Sequence, residues 1–126
     1  MMEDRIPKEV DDLIARYVRS VGHLEVVLFL MRYPERAWTA EEISREMRTN
    51  VSYAERQLAD LQGIVVLIDE VPRKYQYAPT ENLNAAVQLM DELYGSHRHL
   101  LINSIYAKPA DSIRSFADSF RLKKGP

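Results

Sequence analysis

Arg56 and Gln57 stand side by side in the stretch VSYAERQLADLQG, residues 51–63. Both are side-chain types whose paired polar atoms match the major-groove edges of guanine and adenine. Arg48, Thr49 and Ser52, just upstream, could hold phosphate groups together with the free N–H groups of a helix start. Arg73 and Lys74, in the polar run DEVPRK, suit a contact to a backbone or a minor groove. With Tyr53, these residues form a coherent set for binding double-stranded nucleic acid. The local charge opposes it. Residues 39–62 hold Glu41, Glu42, Glu46, Glu55 and Asp60 against Arg45, Arg48 and Arg56. Asp60 is four residues from Arg56 and is expected to pair with it along the helix. Asp69 and Glu70 likewise offset Arg73 and Lys74.

Other chemistry has less to stand on. The chain has no cysteine, so disulfides, thiolate metal sites and thiol catalysis are excluded. His97 and His99 are two positions apart, and on a helix they diverge by about 200°, too far to chelate one metal from one face. His97 is expected to be packed or in an interface, and His23 stands alone near a helix start. No nucleophile-and-base motif, phosphate-cradling glycine loop or fixed carboxylate pair is present. The expectation is no enzyme activity, no metal site and no cofactor.

The elements that would position the polar set follow from hydrophobic periodicity. Residues 6–20 read as a first helix, with Pro7 in its first turn and Val10, Ile14, Tyr17 and Val18 on one face. Residues 21–33 are apolar nearly all round and make a buried second helix, ended by Pro34. Thr39 and Glu42 have the spacing of a capping box, which starts a third helix with Ile43 and Met47 inward. A polar turn, residues 48–50, leads to a fourth helix with Val51, Ala54, Leu58 and Leu61 inward. That leaves Ser52, Tyr53, Arg56, Gln57 and Asp60 outward. Gly63 can take the left-handed conformation that closes it. Residues 64–79 change to a strand pattern with a charged tip, a two-stranded hairpin.

From Thr80 the helical period returns. Leu83, Val87, Met90, Tyr94, His97 and Leu101 alternate steps of four and three, a coiled-coil-like seam interrupted at Gly95, which marks either a kink or a break between two helices. A stripe of about 20 residues is longer than a domain of this size is expected to cover, at about 1.5 Å per residue. It therefore reads as a homodimer interface, with packing back onto the chain's own domain as the alternative.

The order of these elements resembles a winged helix-turn-helix domain. The residues carrying the resemblance are WTAEEISREMRTNVSYAERQLADLQGIVVLIDEVPRKYQYAPT, residues 38–80. Thr39, Glu42 and Ile43 match the capped opening helix, and Leu58, Leu61 and Gly63 match the end of the recognition helix, one residue short in spacing. Tyr75 and Tyr77 match the returning strand of the wing. The long helix from Thr80 is similar to the dimerisation helices of bacterial regulators of the MarR and PadR groups. The resemblance implies a mainly α fold with a small β-hairpin wing and a long C-terminal dimerisation helix. Residues 1–80 would form the winged domain with its N-terminal helix, and residues 81–126 a helical dimerisation region with a basic amphipathic tail. The implied function is a homodimeric DNA-binding transcriptional regulator.

The whole chain bounds this reading. Its 126 residues suffice for one domain with a proper core. No apolar run approaches a membrane span, and the N-terminus lacks the pattern of a signal peptide, so a cytoplasmic location is expected. Net charge is −2, but residues 108–126 carry five basic against two acidic side chains, and the first 107 carry 12 against 17. DNA-binding domains are usually basic, because phosphate neutralisation supplies much of their affinity. The acidic body favours a second reading, a winged-helix adaptor for protein partners, engaged through the basic tail or the seam.

Overall fold

The computed structural model describes residues 6–107. Among them the chain is mainly α-helical, with six helices and one antiparallel hairpin. The helices are α1 (Lys8–Arg16), α2 (Val21–Arg32), α3 (Ala40–Met47), α4 (Val51–Asp60), α5 (Glu81–Ser96) and α6 (Arg98–Ala107). The hairpin joins β1 (Val65–Glu70) to β2 (Arg73–Tyr77), between α4 and α5. No described helix is long and apolar enough to cross a membrane.

Local chemistry explains where the helices begin. The Ser20 hydroxyl caps α2 by accepting from the His23 N–H at 3.0 Å. At α3 the capping box is complete: Thr39 Oγ1 accepts from the Glu42 N–H, and Glu42 Oε1 accepts from the Thr39 N–H. Arg36 adds a 2.9 Å ion pair to the same carboxylate. The bond from the Thr39 N–H, helped by Arg36, holds the Glu42 carboxyl below its ordinary 4.5, against an opposing effect of burial. A depressed carboxylate contributes stability that is present above 4.5 and lost as pH falls through its lower folded-state value. Glu42→Gln should therefore be less stable than the parent at neutral pH, with the gap closing below pH 4.5 in urea melts. Thr39→Ala should cost about 1 kcal/mol by the same measurement.

α2 is the central helix. Leu24, Val27 and Leu30 are fully buried, and Val26 and Leu28 nearly so. It packs against α4, α5 and β2. The core continues through Val10, Leu13, Ile14 and Val18 on the α1 side, and through Ile43, Leu58, Leu61 and Ile64 towards the hairpin. In β1 and β2 the register pairs Val65 with Tyr77 at the base and Glu70 with Arg73 at the tip. A bulge falls between Leu67 and Asp69. Trp38 extends this sheet by one bridge: its N–H donates to the Tyr75 carbonyl at 2.8 Å and its carbonyl accepts from the Tyr75 N–H at 2.7 Å. The buried Tyr77 hydroxyl donates to Asn84 Oδ1 at 2.7 Å, tying the hairpin to α5, and burial pushes its pKa up to about 12.

The C-terminal half differs from the seam expected of it. Two helices replace one long one, and the break falls at His97, two residues beyond Gly95. α5 packs on α1 and α2, and α6 on α1 and α5. Val87, Met90 and Leu101 are fully buried in the same core as Val10 and Ile14. One contiguous core thus takes residues from both sides of position 80. The seam is long because it covers α1 as well as α2, so the chain's own helices use most of it. Leu83 and Tyr94 are half-buried, and His97 is exposed at the helix break rather than packed.

Candidate nucleic-acid interface

The site is built around the turn between α3 and α4. Arg48 closes α3 in the left-handed conformation, at φ 58° and ψ 49°. This reverses the chain within three residues and leaves Arg48, Thr49 and Asn50 exposed. Asn50 caps α4: its Oδ1 accepts from the Tyr53 N–H at 2.8 Å and from the Ser52 hydroxyl at 3.2 Å. The sequence reading missed Asn50, although asparagine before an amphipathic run is a standard N-cap signal. One of the N–H groups at this helix start, that of Tyr53, is therefore used within the chain.

The face of α4 is rotated from the expected one. Ala54, Gln57 and Leu58 are buried, whereas Val51 is 39% exposed. Gln57 is 8% exposed and cannot reach a base edge without leaving its site. Gly22 is the reason. With no side chain at that position, α2 leaves room for the Tyr53 ring and the Gln57 amide, and a Cβ there would overlap the Tyr53 hydroxyl and lie 3.1 Å from Gln57 Oε1. Tyr53 is accordingly half-buried. Of the outward set, Ser52, Arg56 and Asp60 remain exposed. Sequence periodicity located the helix, but a glycine on a neighbouring helix decided which polar residues it presents.

Asp60 does not pair with Arg56. Its Oδ2 lies 3.0 Å from His23 Nε2 and 3.9 Å from Arg19. His23 is 5% exposed, and its Nδ1 lies 3.2 Å from the Arg19 N–H and 3.1 Å from Ser20 Oγ. Accepting the backbone N–H leaves Nε2 to carry the proton towards Asp60. The start of α2 and the end of α4 are clasped by this contact, and the acid's charge is turned towards two basic groups. Nothing in the spacing of residues 23 and 60 signals the pair, since only the α2–α4 packing brings them together.

On the hairpin, Arg73 is exposed and Lys74 half-exposed. The register sets Glu70 opposite Arg73 and Asp69 opposite Lys74, so each cation has a carboxylate as its cross-strand neighbour. The tip is Val71–Pro72, joined by a cis peptide bond, and Val71 is 93% exposed. Val66, Leu67 and Ile68 on β1 are also exposed, at 39%, 40% and 49%. Apolar rather than basic side chains dominate this hairpin.

Elsewhere, no group of three or more potential metal ligands occurs among the described residues. A cleft of about 580 Å³ runs between α1 and α5, with Leu13, Tyr17, Leu83 and Ala86 in its walls. The basic run from Lys108 to Lys124 lies outside the described residues.

The element order, helices followed by a two-stranded hairpin and further helices, is compatible with a winged helix. No family model, curated protein or solved structure matches the chain.

Proposed function

We propose that the chain is a DNA-binding transcriptional regulator of the winged helix-turn-helix type, acting as a homodimer. The observation that supports this best is the exposed group Arg48, Thr49, Ser52 and Arg56 around the start and outer face of α4. Ser52 and Arg56 sit on a short helix, and Arg48 and Thr49 on the turn that leads into it; the helix is braced by Asn50 at one end and by the His23–Asp60 contact at the other. A rigid, amphipathic helix of this kind can enter a major groove about 12 Å wide. Arg56 would read a base edge, and Arg48, Thr49 and Ser52 would hold phosphates. The Asp60 contacts to His23 and Arg19 offset one of the two acids on α4, leaving Glu55. Val87, Met90 and Leu101 belong to the chain's own core, so the dimer would form through other side chains, such as those flanking the α1–α5 cleft and the exposed Tyr106.

Selection of genomic fragments by the purified chain at physiological salt tests the reading; absence of enrichment would sink it. With an enriched site in hand, Arg56→Ala should lose about 1–3 kcal/mol of discrimination at one base position. Lys74→Ala should weaken all sequences alike and flatten the salt dependence.

A second reading is a protein-interaction adaptor, favoured by the exposed Val66, Leu67, Ile68 and Val71. An apolar strand and tip suit a protein surface better than phosphate. Val71→Asp separates the two: it should abolish partner capture if the hairpin is the adaptor surface and only modestly reduce DNA affinity otherwise.

A further inference from the structure

α2 is covered on most sides, but Gly22, Glu25, Phe29 and Arg32, spaced three, four and three, form a stripe that remains at least partly open. Two clefts lie along it. One, of about 220 Å³, is enclosed by α2, α3 and α4, with Glu25, Val26, Ile43, Met47, Thr49 and Tyr53 in its walls. The other, of about 280 Å³, continues towards α5, where Leu28, Phe29 and Tyr94 join the walls. Glu25 and Met47 line both, so the two clefts adjoin.

The charges along this groove are unequal. Arg32 is held by Asp91 at 3.0 Å, and Arg98 stacks on Tyr94 with its guanidinium carbon 4.1 Å from the ring centroid. Arg56 stands 5.9 Å from the Tyr53 ring but does not line either cleft. In the cleft beside α4, Glu25 is the one charged wall residue among the described residues, and none of these engages its side chain in an ion pair or hydrogen bond. It is also the only charged residue of α2 before Arg32, in a helix otherwise apolar to that point apart from His23. A lone carboxylate beside a tyrosine ring and a methionine thioether is the arrangement that attracts an organic cation, through Coulomb and cation–π attraction.

We propose that this groove binds a small amphipathic organic cation, its ammonium group between Glu25 and Tyr53 and its apolar body over Met47 towards Phe29. The combined space suits an amine of modest size, since pockets for small molecules begin near 300 Å³. The ligand would touch α2, the α3–α4 turn and α4 at once. The proposal does not rest on DNA binding, and no DNA enters its test.

The experiment is an NMR titration of the ¹⁵N-labelled full chain with three probes of similar shape. These are benzyltrimethylammonium, neutral benzyl alcohol and anionic phenylacetate. The cation should shift the amides of Glu25, Met47 and Tyr53, with affinity about fivefold above benzyl alcohol, as expected for one partly solvated charge contact. Phenylacetate should bind more weakly than either. Glu25→Gln, at an exposed and unpaired position, should keep the melting temperature and remove the cation's advantage while leaving benzyl alcohol unchanged. Thr49→Lys, which places an internal cation at the cleft mouth, should also weaken the cation. Equal affinity for cation and neutral probe overturns the proposal. So does indifference to Glu25→Gln, or an absence of shifts with every probe.

Discussion

Met90→Asp should leave the chain unfolded, not merely monomeric. Met90 is fully buried in the core cluster that holds Val10, Leu24 and Leu101, on a helix packed against both α1 and α2. Placing a carboxylate there removes a large apolar side chain and strands a charge without a partner, at a cost of several kcal/mol. A domain of this size has about 5–15 kcal/mol of total stability, so one such change takes most of it. Circular dichroism should show loss of helix at 25 °C, and light scattering should show either expanded chains or aggregates. Leu83→Asp provides the contrast, because Leu83 is half-buried at the α1–α5 cleft. That variant should keep its helical signal and, if a dimer forms along this cleft, shift to monomer at micromolar concentration. A helical, monomeric Met90→Asp protein would place Met90 in an interface between chains and contradict its role in the core.

Gly63→Val should be the most damaging single change outside the core. Gly63 follows α4 with φ +108°, a conformation that side chains with a Cβ rarely adopt and β-branched ones adopt least. Strain of this kind costs about 1–3 kcal/mol. The space is also taken: a Cβ would lie 3.1 Å from the Tyr17 hydroxyl oxygen and 3.2 Å from its ring. The two effects together should remove about 3 kcal/mol, read from the urea midpoint at constant slope. The consequences extend past the turn, because Ile64 is fully buried next to it and its carbonyl accepts from the Ala78 N–H at 2.9 Å, closing the base of the hairpin. Gly63→Ala combined with Tyr17→Leu separates the causes. It should relieve the crowding and retain the backbone strain. A loss below about 0.5 kcal/mol for Gly63→Val would show that the turn relaxes freely.

These two positions differ in how far the sequence announced them. A glycine after Leu58 and Leu61 marks a helix end by local chemistry, and the structure gives it the expected positive φ. That Tyr17 of α1 packs over it could not be read from residues 51–63. Met90 was legible as an inward-facing residue of a periodic stripe, but periodicity records only that a face avoids water. It does not record whether the cover is a second chain or α1 and α2 of the same one.

The α4 surface divides in the same way. A helical wheel gives apolar residues the inside by default, which places Val51 inward and Gln57 outward, the reverse of their burial in the structure. Gly22 on α2 reverses this locally by opening a space that the Gln57 amide and the Tyr53 ring enter. By spacing alone, Asp60 is an acid on the outer face with Arg56 as its natural partner. Its contact with His23 needs α2 and α4 to be side by side, which a separation of 37 residues does not reveal.

The sequence by itself determined the element order as far as the start of α5, the capping box at Thr39, the closing glycine, and a hairpin between two helical segments. All of these depend on interactions within a few residues, where residue type and spacing suffice. Tertiary structure decided the rest: which half of each polar set faces solvent, where the seam from Leu83 to Leu101 finds its cover, and which acid remains unpaired beside α4. Each of these depends on what a neighbouring element lacks or supplies, a glycine at 22 or a histidine at 23. Only the packed chain brings those residues within contact distance.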